Sequence, residues 1–333
     1  MPHRLIDFSK AFDRIDHNIL LRKLQLLNVP QLLLNWCANF LYDRQQRVLL
    51  HNFSSSWKHV RDGVPQGTKL GPLFFLVMVN DLRSDLPLYK YVDDCTIYEV
   101  ISTSLYQPSI LQNELNKIIE WTDSNNMKIN VIKTKELSIS FLRNNQPLDR
   151  LIVHDQPLDL VNSTKLLGVN VSADLKWAIH IDEICAKASK RLYALRTLKR
   201  SGVQPKDLRS VYCYFIRPLL EYACPVWHQS LTCKSKDQLE TIQRRALRIM
   251  HPHLPYKVAL KELNLTTHYE RREHLCMKFY KNITCPDSKL HSLLPKPMPK
   301  NYSLRKPRRI PLLKCRTKRY QNSFIPSSIK KWD

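Results

Sequence analysis

Two adjacent acidic residues in an otherwise apolar stretch most constrain how this chain can fold. Asp93 and Asp94 lie inside "LYKYVDDCTIYEV", residues 88–100, a pattern typical of β-strands. Because neighbouring side chains of a strand point to opposite faces, an unbroken strand would bury one of the two carboxylates. Burial of an unpaired carboxylate is costly. A hairpin that turns at Val92 and Asp93 avoids this cost, so we predict a β-hairpin with both carboxylates at its tip.

A divalent cation would relieve the repulsion between these two anions. Mg²⁺ binds one or two protein carboxylates and leaves room for substrate phosphates, although a metal-free surface turn explains Asp-Asp as well. A third carboxylate, Asp7, follows the apolar pair Leu5 and Ile6 and would end a neighbouring strand. Three carboxylates at one sheet edge suffice for two metal ions ~3.5–4 Å apart, which can activate a 3′-hydroxyl and stabilise a pyrophosphate leaving group.

The charge balance of the chain indicates a polyanionic partner. There are 53 Lys and Arg against 29 Asp and Glu, a formal net charge of +24. This excess predicts affinity for nucleic acid, although charge alone does not separate RNA, DNA and acidic membranes. Five glycines argue against a Gly-rich dinucleotide fold, and the longest apolar run, "LFFLVMV" at 73–79, is too short to span a membrane. Nine cysteines without a CxxC pair favour reduced intracellular thiols.

The sequence predicts an α/β part followed by a basic helical part. Up to residue 175, predicted helices such as "DHNILLRKLQLLNV" and "QLLLNWCANFLYD" alternate with short strands, and "QRVLLHN" and "SWKHVRDG" predict a hairpin. Residues 176–285 predict amphipathic helices with basic outer faces. Residues 286–333 form a Pro- and Lys-rich extension for which we expect weak order. The predicted fold class is α+β, with domains at 1–175, 176–285 and 286–333.

Five motifs, in this order, resemble the reverse transcriptases of non-LTR retrotransposons of the LINE type, as in jockey and CR1 elements. They are "LIDFSKAFDRIDHNILLRKL", "GVPQGTKLGPLFFLVMVNDL", "YVDDCTIY", "MKINVIKTKELSISF" and "TKLLGVNV". The resemblance continues to "SFIPSSIKKWD" and so covers nearly the whole chain. It implies a right-hand polymerase: a palm with a partial antiparallel sheet in residues 1–175, a helical thumb in 176–285 and a basic extension in 286–333.

The resemblance implies a role for each matching position near the carboxylates. Asp7 and Asp93 would ligate two Mg²⁺ ions, for which Mn²⁺ can substitute. Asp94 would complete the acidic cluster, and the backbone carbonyl of Phe8 would be a further ligand. Phe12 would stack under the sugar and exclude a 2′-hydroxyl, so that deoxynucleotides are selected. A plain core aromatic is the alternative for Phe12.

Loop and basic positions are implied in the same way. Gln66 and Gly67, in "VPQG", would lie along the templating base and the incoming nucleotide, where glycine permits close backbone approach. Lys133 would protonate or neutralise the leaving pyrophosphate, and a solvated lysine explains it equally well. Leu167 and Gly168 would form the turn that grips the primer. Four thumb residues, chosen only by charge and helix position, would contact phosphates: Lys187, Lys190, Arg191 and Arg244.

The sequence begins six residues before Asp7, where enzymes of this kind carry a fingers subdomain and usually an endonuclease. We therefore expect an RNA-directed DNA polymerase fragment that uses an RNA template, a DNA primer and deoxynucleotides, with fingers absent and activity impaired. The strand bearing Asp7 should be a stub. A non-catalytic nucleic-acid-binding remnant is the alternative. We expect no membrane partner and an intracellular product, nuclear or cytoplasmic, with "RKPRRIPLLKCRTKR" as a candidate import signal.

Overall fold

The computed structural model describes residues 2–101, 109–141, 149–296 and 310–332. The chain forms two compact units, near the position where the sequence changes character. The first unit comprises Met1–Leu167 and Ser172–Asp174, and the second comprises Gly168–Val171 and Leu175–Asp333. The buried apolar residues of the two units form separate clusters, so each unit has a core of its own.

In its described residues, the first unit contains short strands and four helices. Its strands are β1 (Pro2–Asp7), β2 (Gln45–Gln46), β3 (Leu49–Leu50), β4 (Phe53–Ser54), β5 (Lys58–His59), β6 (Leu88–Tyr91), β7 (Asp94–Tyr98), β8 (Lys135–Ser138), β9 (Ile152–Val153), β10 (Gln156–Pro157), β11 (Asp159–Leu160) and β12 (Ser163–Leu166). Its helices are α1 (His17–Leu26), α2 (Gln31–Leu41), α3 (Leu70–Val79) and α4 (Leu111–Ser124), with a 3₁₀ turn at Ala11–Arg14. The helices predicted from "DHNILLRKLQLLNV" and "QLLLNWCANFLYD" are confirmed as α1 and α2.

A five-stranded sheet forms the centre of the first unit, in the order β11–β8–β1–β7–β6. Neighbouring strands are antiparallel except β8 and β11, which are parallel. The strand that ends at Asp7 lies in the middle and pairs with β7 on one side and β8 on the other. The expectation that the strand bearing Asp7 is a stub is therefore wrong, because its six residues are long enough to pair with the strands on both sides.

Both faces of this sheet are covered at β7. Cys95, Thr96 and Ile97 are consecutive in the strand and all three are buried, although their side chains alternate between faces. The apolar helix α3 supplies Phe74 and Phe75 to the same core. Burial on both sides makes the sheet a rigid base for whatever lies at its edge.

The second unit is mainly helical. Besides most of β13 (Val169–Ser172), it contains α5 (Ala178–Arg200), α6 (Pro205–Val211), α7 (Arg217–Glu221), α8 (Cys224–Trp227), α9 (Cys233–Met250), α10 (Tyr256–Glu262), α11 (His268–Thr284), α12 (Lys318–Gln321) and α13 (Phe324–Trp332). A π-helical segment, Tyr212–Ile216, joins α6 to α7, and 3₁₀ turns occupy His228–Ser230 and His291–Leu293. Nowhere in the described ranges does a helix combine the length and apolarity that a bilayer crossing needs.

Two hydrogen bonds fix how the longest helices of the second unit pack. Gln238 donates to Asp182 at 3.0 Å, and Arg245 donates to Ser189 at 3.2 Å. In both contacts the residue of α9 is 56 positions after its partner in α5. The two helices therefore run parallel. Their inner faces bury the apolar side chains of the unit's core, and basic side chains lie outside.

Part of the basic C-terminal extension is ordered within the second unit. Ile329 of α13 is fully buried in a cluster with Tyr280 and Ile310. Lys331 lies 2.8 Å from a carboxylate oxygen of Glu273 in α11. The expectation of weak order is therefore wrong for residues 310–332, because a few apolar side chains anchor a segment whose composition is mainly polar. Residues 297–309 of the extension lie outside the described residues.

Candidate active site

The acidic pair lies at the tip of a β-hairpin, as the sequence predicts. β6 and β7 pair antiparallel, and Tyr91 and Asp94 are the last partners before the connection through Val92 and Asp93. Val92 has a φ of 55°, a left-handed conformation that β-branched residues rarely adopt. Asp93 and Asp94 are both partly exposed, so the turn keeps them out of the core.

The sheet brings Asp7 to the same place. It is the last residue of β1 and pairs directly with Asp94, the first residue of β7. Directly opposite residues in antiparallel strands have Cα atoms ~4.5–5.5 Å apart. Asp93 is adjacent in the chain, so the three acidic positions meet at one edge of the sheet.

Lys133 precedes β8 at that edge. The ladder between β1 and β8 runs from the pair Pro2 and Ser138 to the pair Leu5 and Lys135. The pairing does not continue in this register to Asp7, because residues 131–133 form a turn and Phe8 bridges to Ile129. Lys133 is exposed, and its backbone N–H donates to the side-chain oxygen of Asn130 at 3.2 Å, which shapes the turn before β8. Lys133 therefore lies in a turn beside the end of β1, next to the edge that carries the three acidic positions.

Lys90 ties the acidic hairpin to helix α3. Its ammonium donates to the carbonyl of Val79 at 2.8 Å and to that of Leu82 at 3.1 Å, beyond the helix C-terminus. Carbonyls at a helix C-terminus lack intrahelical partners and carry the negative end of the helix dipole, so a lysine there is well placed. Burial lowers the pKa of Lys90. No local sequence pattern indicates this role, since only the fold brings Lys90 to the end of α3.

A buried thiol lies directly behind the acidic tip. Cys95 follows Asp94 in β7 and is fully buried. Burial raises its pKa to about 12, with a smaller opposing effect of Lys90 and a smaller raising effect of the neighbouring aspartates. The thiol is therefore neutral, and it adds no negative charge to an edge that already has three acidic positions.

The two aromatic candidates lie after Asp7 and contribute to the core. Phe8 is 3% exposed, and its ring centroid is 6.4 Å from that of Trp121. Phe12, on the 3₁₀ turn, is partly buried and stacks on Phe75 with centroids 4.9 Å apart. Stacking on Phe75 fits a core aromatic, whereas the partial exposure of Phe12 fits contact with a substrate sugar.

The "VPQG" loop is attached to the segment that follows Asp7. The N–H of Val64 donates to the carbonyl of Phe12 at 2.9 Å, and the Gln66 side chain donates to Asp13 at 3.4 Å. Gly67 has a φ of 80°, and a Cβ atom built on it would meet nothing within 4 Å. The backbone at Gly67 is therefore open to a ligand, and its conformation favours glycine.

Gly63 and His17 strengthen this attachment, and neither was among the residues predicted from the sequence. The N–H of Gly63 donates to the carbonyl of Ile15 at 2.8 Å, and the buried ring of His17 donates to the Gly63 carbonyl at 2.7 Å. A Cβ atom on Gly63 would lie 2.8 Å from the backbone of Asp13. The spacing of "RDGVPQG" hints at a shaped loop, but it gives no sign of this close approach.

The remaining predicted positions lie at the division between the units or in the second unit. Leu167 and Gly168 form a turn with φ of 45° and 83°, and a Cβ atom on Gly168 would lie 3.2 Å from the ring of Tyr222. Three of the four thumb candidates have partners in their own unit. Lys187 pairs with Glu183, Arg191 lies 4.4 Å from the ring centroid of Phe215, and Arg244 lies 2.9 Å from Asp237. Lys190 is exposed on α5.

Proteins similar to this chain include polymerases of mobile elements. Residues 4–171 match the protein family described as reverse transcriptase (RNA-dependent DNA polymerase). The chain is 28% identical over 281 residues to the probable RNA-directed DNA polymerase from transposon BS of Drosophila melanogaster, covering 79% of this chain and 30% of that protein. It is 27% identical over 264 residues to the RNA-directed DNA polymerase from mobile element jockey of the same species, covering 73% and 27%. The chain thus spans less than a third of these relatives.

Among solved structures, telomerase from Candida albicans in complex with a fragment of telomeric RNA is similar to 85% of this chain and 44% of that one, with a TM-score of 0.40 and 14% identity. Apo telomerase from Candida tropicalis is similar to 84% of this chain and 45% of that one, with a TM-score of 0.39 and 13% identity.

Proposed function

Because the chain belongs to the reverse transcriptase (RNA-dependent DNA polymerase) family, we propose that it carries the catalytic palm and the thumb of an RNA-directed DNA polymerase from a non-LTR retrotransposon. The resemblance drawn from its motifs is confirmed by relatives that are named as polymerases of mobile elements. The first unit, with its central, mainly antiparallel sheet, would be the palm. The second, helical unit would be the thumb, with residues 286–333 as its basic extension.

The pairing of Asp7 with Asp94 is the observation that carries this proposal. It joins the ends of two strands that are far apart in the sequence, and it does so beside Asp93 at an exposed tip. Mg²⁺ and similar divalent cations bind carboxylate oxygens that are held in a fixed geometry. Acidic residues at the edge of a rigid sheet meet this requirement. Among the side chains that the structure describes, no three His, Cys, Asp or Glu residues lie close enough together to hold a metal ion. The proposed centre therefore requires Asp7 in addition to Asp93 and Asp94.

These residues fit a site for two divalent ions. Asp7 and Asp93 would hold Mg²⁺ or Mn²⁺, with Asp94 and the carbonyl of Phe8 as further oxygen donors. Bound there, the ions would supply Lewis-acid activation of the primer 3′-hydroxyl and neutralise charge on the phosphates. Lys133, in the turn before β8, would donate a proton or positive charge to the leaving pyrophosphate.

The substrates would be an RNA template, a DNA primer and deoxynucleoside triphosphates. Gln66 and Gly67 would line the pair formed by the templating base and the incoming nucleotide, where the open backbone of Gly67 permits close approach. The exposed part of Phe12 would exclude a 2′-hydroxyl. Leu167 and Gly168 would hold the primer. The basic helix positions Lys187, Lys190, Arg191 and Arg244 would contact phosphates.

Primer extension tests the proposal directly. A labelled DNA primer annealed to an RNA template should be extended with deoxynucleotides in the presence of Mg²⁺ or Mn²⁺. Asp93→Asn and Asp94→Asn should each lower the rate by at least ~10²-fold, because each removes charge that stabilises the transition state. Asp123→Asn, at an exposed position on α4, is the matched control and should extend normally. Absence of extension by the unaltered chain with either metal would overturn the proposal.

A non-catalytic nucleic-acid-binding protein is the second candidate, and the net charge of +24 favours it. In that case RNA or DNA binding should weaken steeply with salt and survive the combined change of Asp7, Asp93 and Asp94 to Asn. Binding that is absent at ~50 mM salt, where several phosphate contacts should show, would exclude this candidate.

A further inference from the structure

An isolated two-stranded ribbon lies between α2 and α3 in the first unit. β2 pairs with β5, and β3 pairs with β4, so the chain runs out, turns at residues 51–52 and returns. The N–H of Val60 donates to the carbonyl of Arg44 at 2.8 Å and closes the base. Neither strand pair joins another strand among the described residues. We call residues 44–61 the ribbon arm.

The ribbon arm exposes large apolar side chains to solvent. Every residue from 45 to 59 is exposed, and Leu50, Phe53 and Trp57 are 65%, 80% and 57% exposed. An isolated two-stranded ribbon is marginally stable by itself, and a contiguous exposed apolar surface marks a binding site. The arm therefore has the properties of an element that is completed by a partner.

The charge of the ribbon arm indicates what that partner is. Residues 44–61 contain no Asp or Glu, and they carry four basic residues: Arg44, Arg47, Lys58 and Arg61. The guanidinium of Arg47 lies 4.6 Å from the ring centroid of Trp57, so a cation and an aromatic face are presented together. Cations beside exposed aromatic rings are the combination that binds single-stranded nucleic acid, with phosphates on the cations and bases on the rings.

We propose that the ribbon arm binds single-stranded RNA, with Phe53 and Trp57 stacking on bases and Arg47 and Lys58 contacting phosphates. Paired bases present no free face at the side of a duplex, so exposed rings favour an unpaired strand. Amide and hydroxyl side chains along the arm can bond a 2′-hydroxyl: Gln45, Gln46, Asn52, Ser54, Ser55 and Ser56. The choice of RNA over DNA rests on the proposed function, whereas the binding surface itself does not.

The base of the arm is anchored to the segment that follows Asp7. Directly after the arm, Gly63 and Val64 donate to the backbone carbonyls of Ile15 and Phe12. The His17 ring fixes Gly63 from the other side. A strand held on the ribbon arm is thus tethered to Phe12 and Ile15, in the segment of chain that follows Asp7. This geometry suits an RNA template on its way to the site.

Equilibrium binding of a fluorescently labelled 20-nucleotide single-stranded RNA tests the inference. Trp57→Ser and Phe53→Ser should each raise the Kd about 5- to 100-fold, since each removes one stacking platform. Trp36→Ser is the matched control: Trp36 is 54% exposed on α2, outside the arm, and its change should leave the Kd unaltered. Equal losses in all three variants, or no loss in the two arm variants, would overturn the proposal.

The salt dependence of RNA binding tests the proposed contact between Arg47 and a phosphate. Arg47→Gln should reduce the slope of log Kd against log salt concentration by about 0.7, the value for one contact to a single strand. Arg22→Gln, at an exposed position of α1, removes the same charge away from the arm and should leave the slope unchanged. If both variants reduced the slope equally, the loss would reflect total charge. That result would contradict a phosphate contact made by Arg47 in the arm.

Replacing residues 45–59 by Asn-Gly removes the arm while keeping the hydrogen-bonded pair Arg44 and Val60. The shortened protein should keep its circular dichroism spectrum and lose the arm-dependent RNA affinity. If it lost affinity only for single-stranded DNA, or kept its RNA affinity but changed its oligomeric state, the RNA assignment would fail. The Asp93→Asn protein, inactive by design, should still show the arm-dependent binding, so failure of the inference is distinguishable from failure of the proposed function.

Discussion

At the scale of single residues, Val92 fixes the acidic tip. Its φ of 55° is unfavourable for a β-branched side chain, yet that side chain packs against the core of the first unit. Packing therefore holds the turn in a conformation that Gly or Asn would adopt more readily. The positions of Asp93 and Asp94 are set by the core behind them and less by the intrinsic preference of the turn.

Gly63 gives a residue-scale prediction about stability. Gly63 and Gly67 have φ of 84° and 80°, so alanine at either position adopts an unfavourable backbone conformation, at ~1–2 kcal/mol. Only at Gly63 would the new Cβ atom also meet backbone, at 2.8 Å from Asp13. Gly63→Ala should therefore lower the free energy of unfolding by a further ~1–3 kcal/mol relative to Gly67→Ala. Urea denaturation measures both, and equal losses would contradict the close approach.

His228 gives a residue-scale prediction about pH. Its Nδ1 accepts from the buried guanidinium of Arg272 at 3.2 Å, and its Nε2 donates to Glu273 at 3.2 Å, so the ring is held neutral. Burial, assisted by the charge of Arg272, lowers its pKa to about 4. An unfolded histidine titrates near ~6.5, so between these values the unfolded state binds more protons and stability falls as the pH falls.

Stability of the second unit should therefore drop between pH 6.5 and 4, by up to about 3 kcal/mol from His228 alone. Denaturant titrations at several pH values measure this loss. His228→Gln should flatten the dependence in part, because burial also lowers the pKa of His268. His253→Gln, at an exposed position, should leave it unchanged. A pH dependence that survives His228→Gln in full would contradict the assignment.

At the scale of elements, the start of α4 depends on one buried carboxylate. Glu114 is 2% exposed and accepts hydrogen bonds from Lys117 at 2.6 Å, Ser84 at 2.7 Å and the N–H of Asp85 at 2.8 Å. Burial alone would raise its pKa, but these hydrogen bonds outweigh burial and lower the pKa to about 2. Glu114 thereby joins α4 to the loop before β6, and so to the acidic hairpin.

The depressed pKa predicts an acid-labile contact. The stabilisation is complete above pH ~4.5, where the unfolded carboxyl is also ionised, and it is lost as the pH falls towards 2. Glu114→Gln should lower the free energy of unfolding at pH 7 by about 2–3 kcal/mol and flatten its dependence between pH 4.5 and 2. Glu120→Gln, exposed on the same helix, is the control for charge. Equal effects of the two changes would contradict a role for burial.

The elements that the sequence predicts well are those with local signals. The acidic hairpin follows from alternation and from the cost of a buried carboxylate, and α1 follows from periodicity and from Asp16, which caps its first N–H groups. The segment "PKDLRSVYCYFIRPLLEYA" looks like one helix, but the structure has a π-helical segment before Pro218, whose ring cannot continue the regular ladder. The contact of Lys90 with α3 and the central place of β1 depend on long-range pairing, which no local pattern encodes.

At the scale of the whole molecule, the two units have cores that share no residue among those described. The second unit should therefore fold without the first. Residues 168–333 produced alone should give a helical circular dichroism spectrum and a cooperative thermal transition. A broad, non-cooperative transition, together with dye binding to exposed apolar surface, would show that this unit needs the first one.

The central position of β1 also has a consequence for biosynthesis. This strand leaves the ribosome before both of its partners, residues 94–98 and 135–138, which are made later. Until then its backbone donors and acceptors have no neighbouring strand to bond, and the sheet is completed only after most of the unit has been translated. Nascent chains of the first unit should hence spend a long interval open to chaperones and to pairing with other chains.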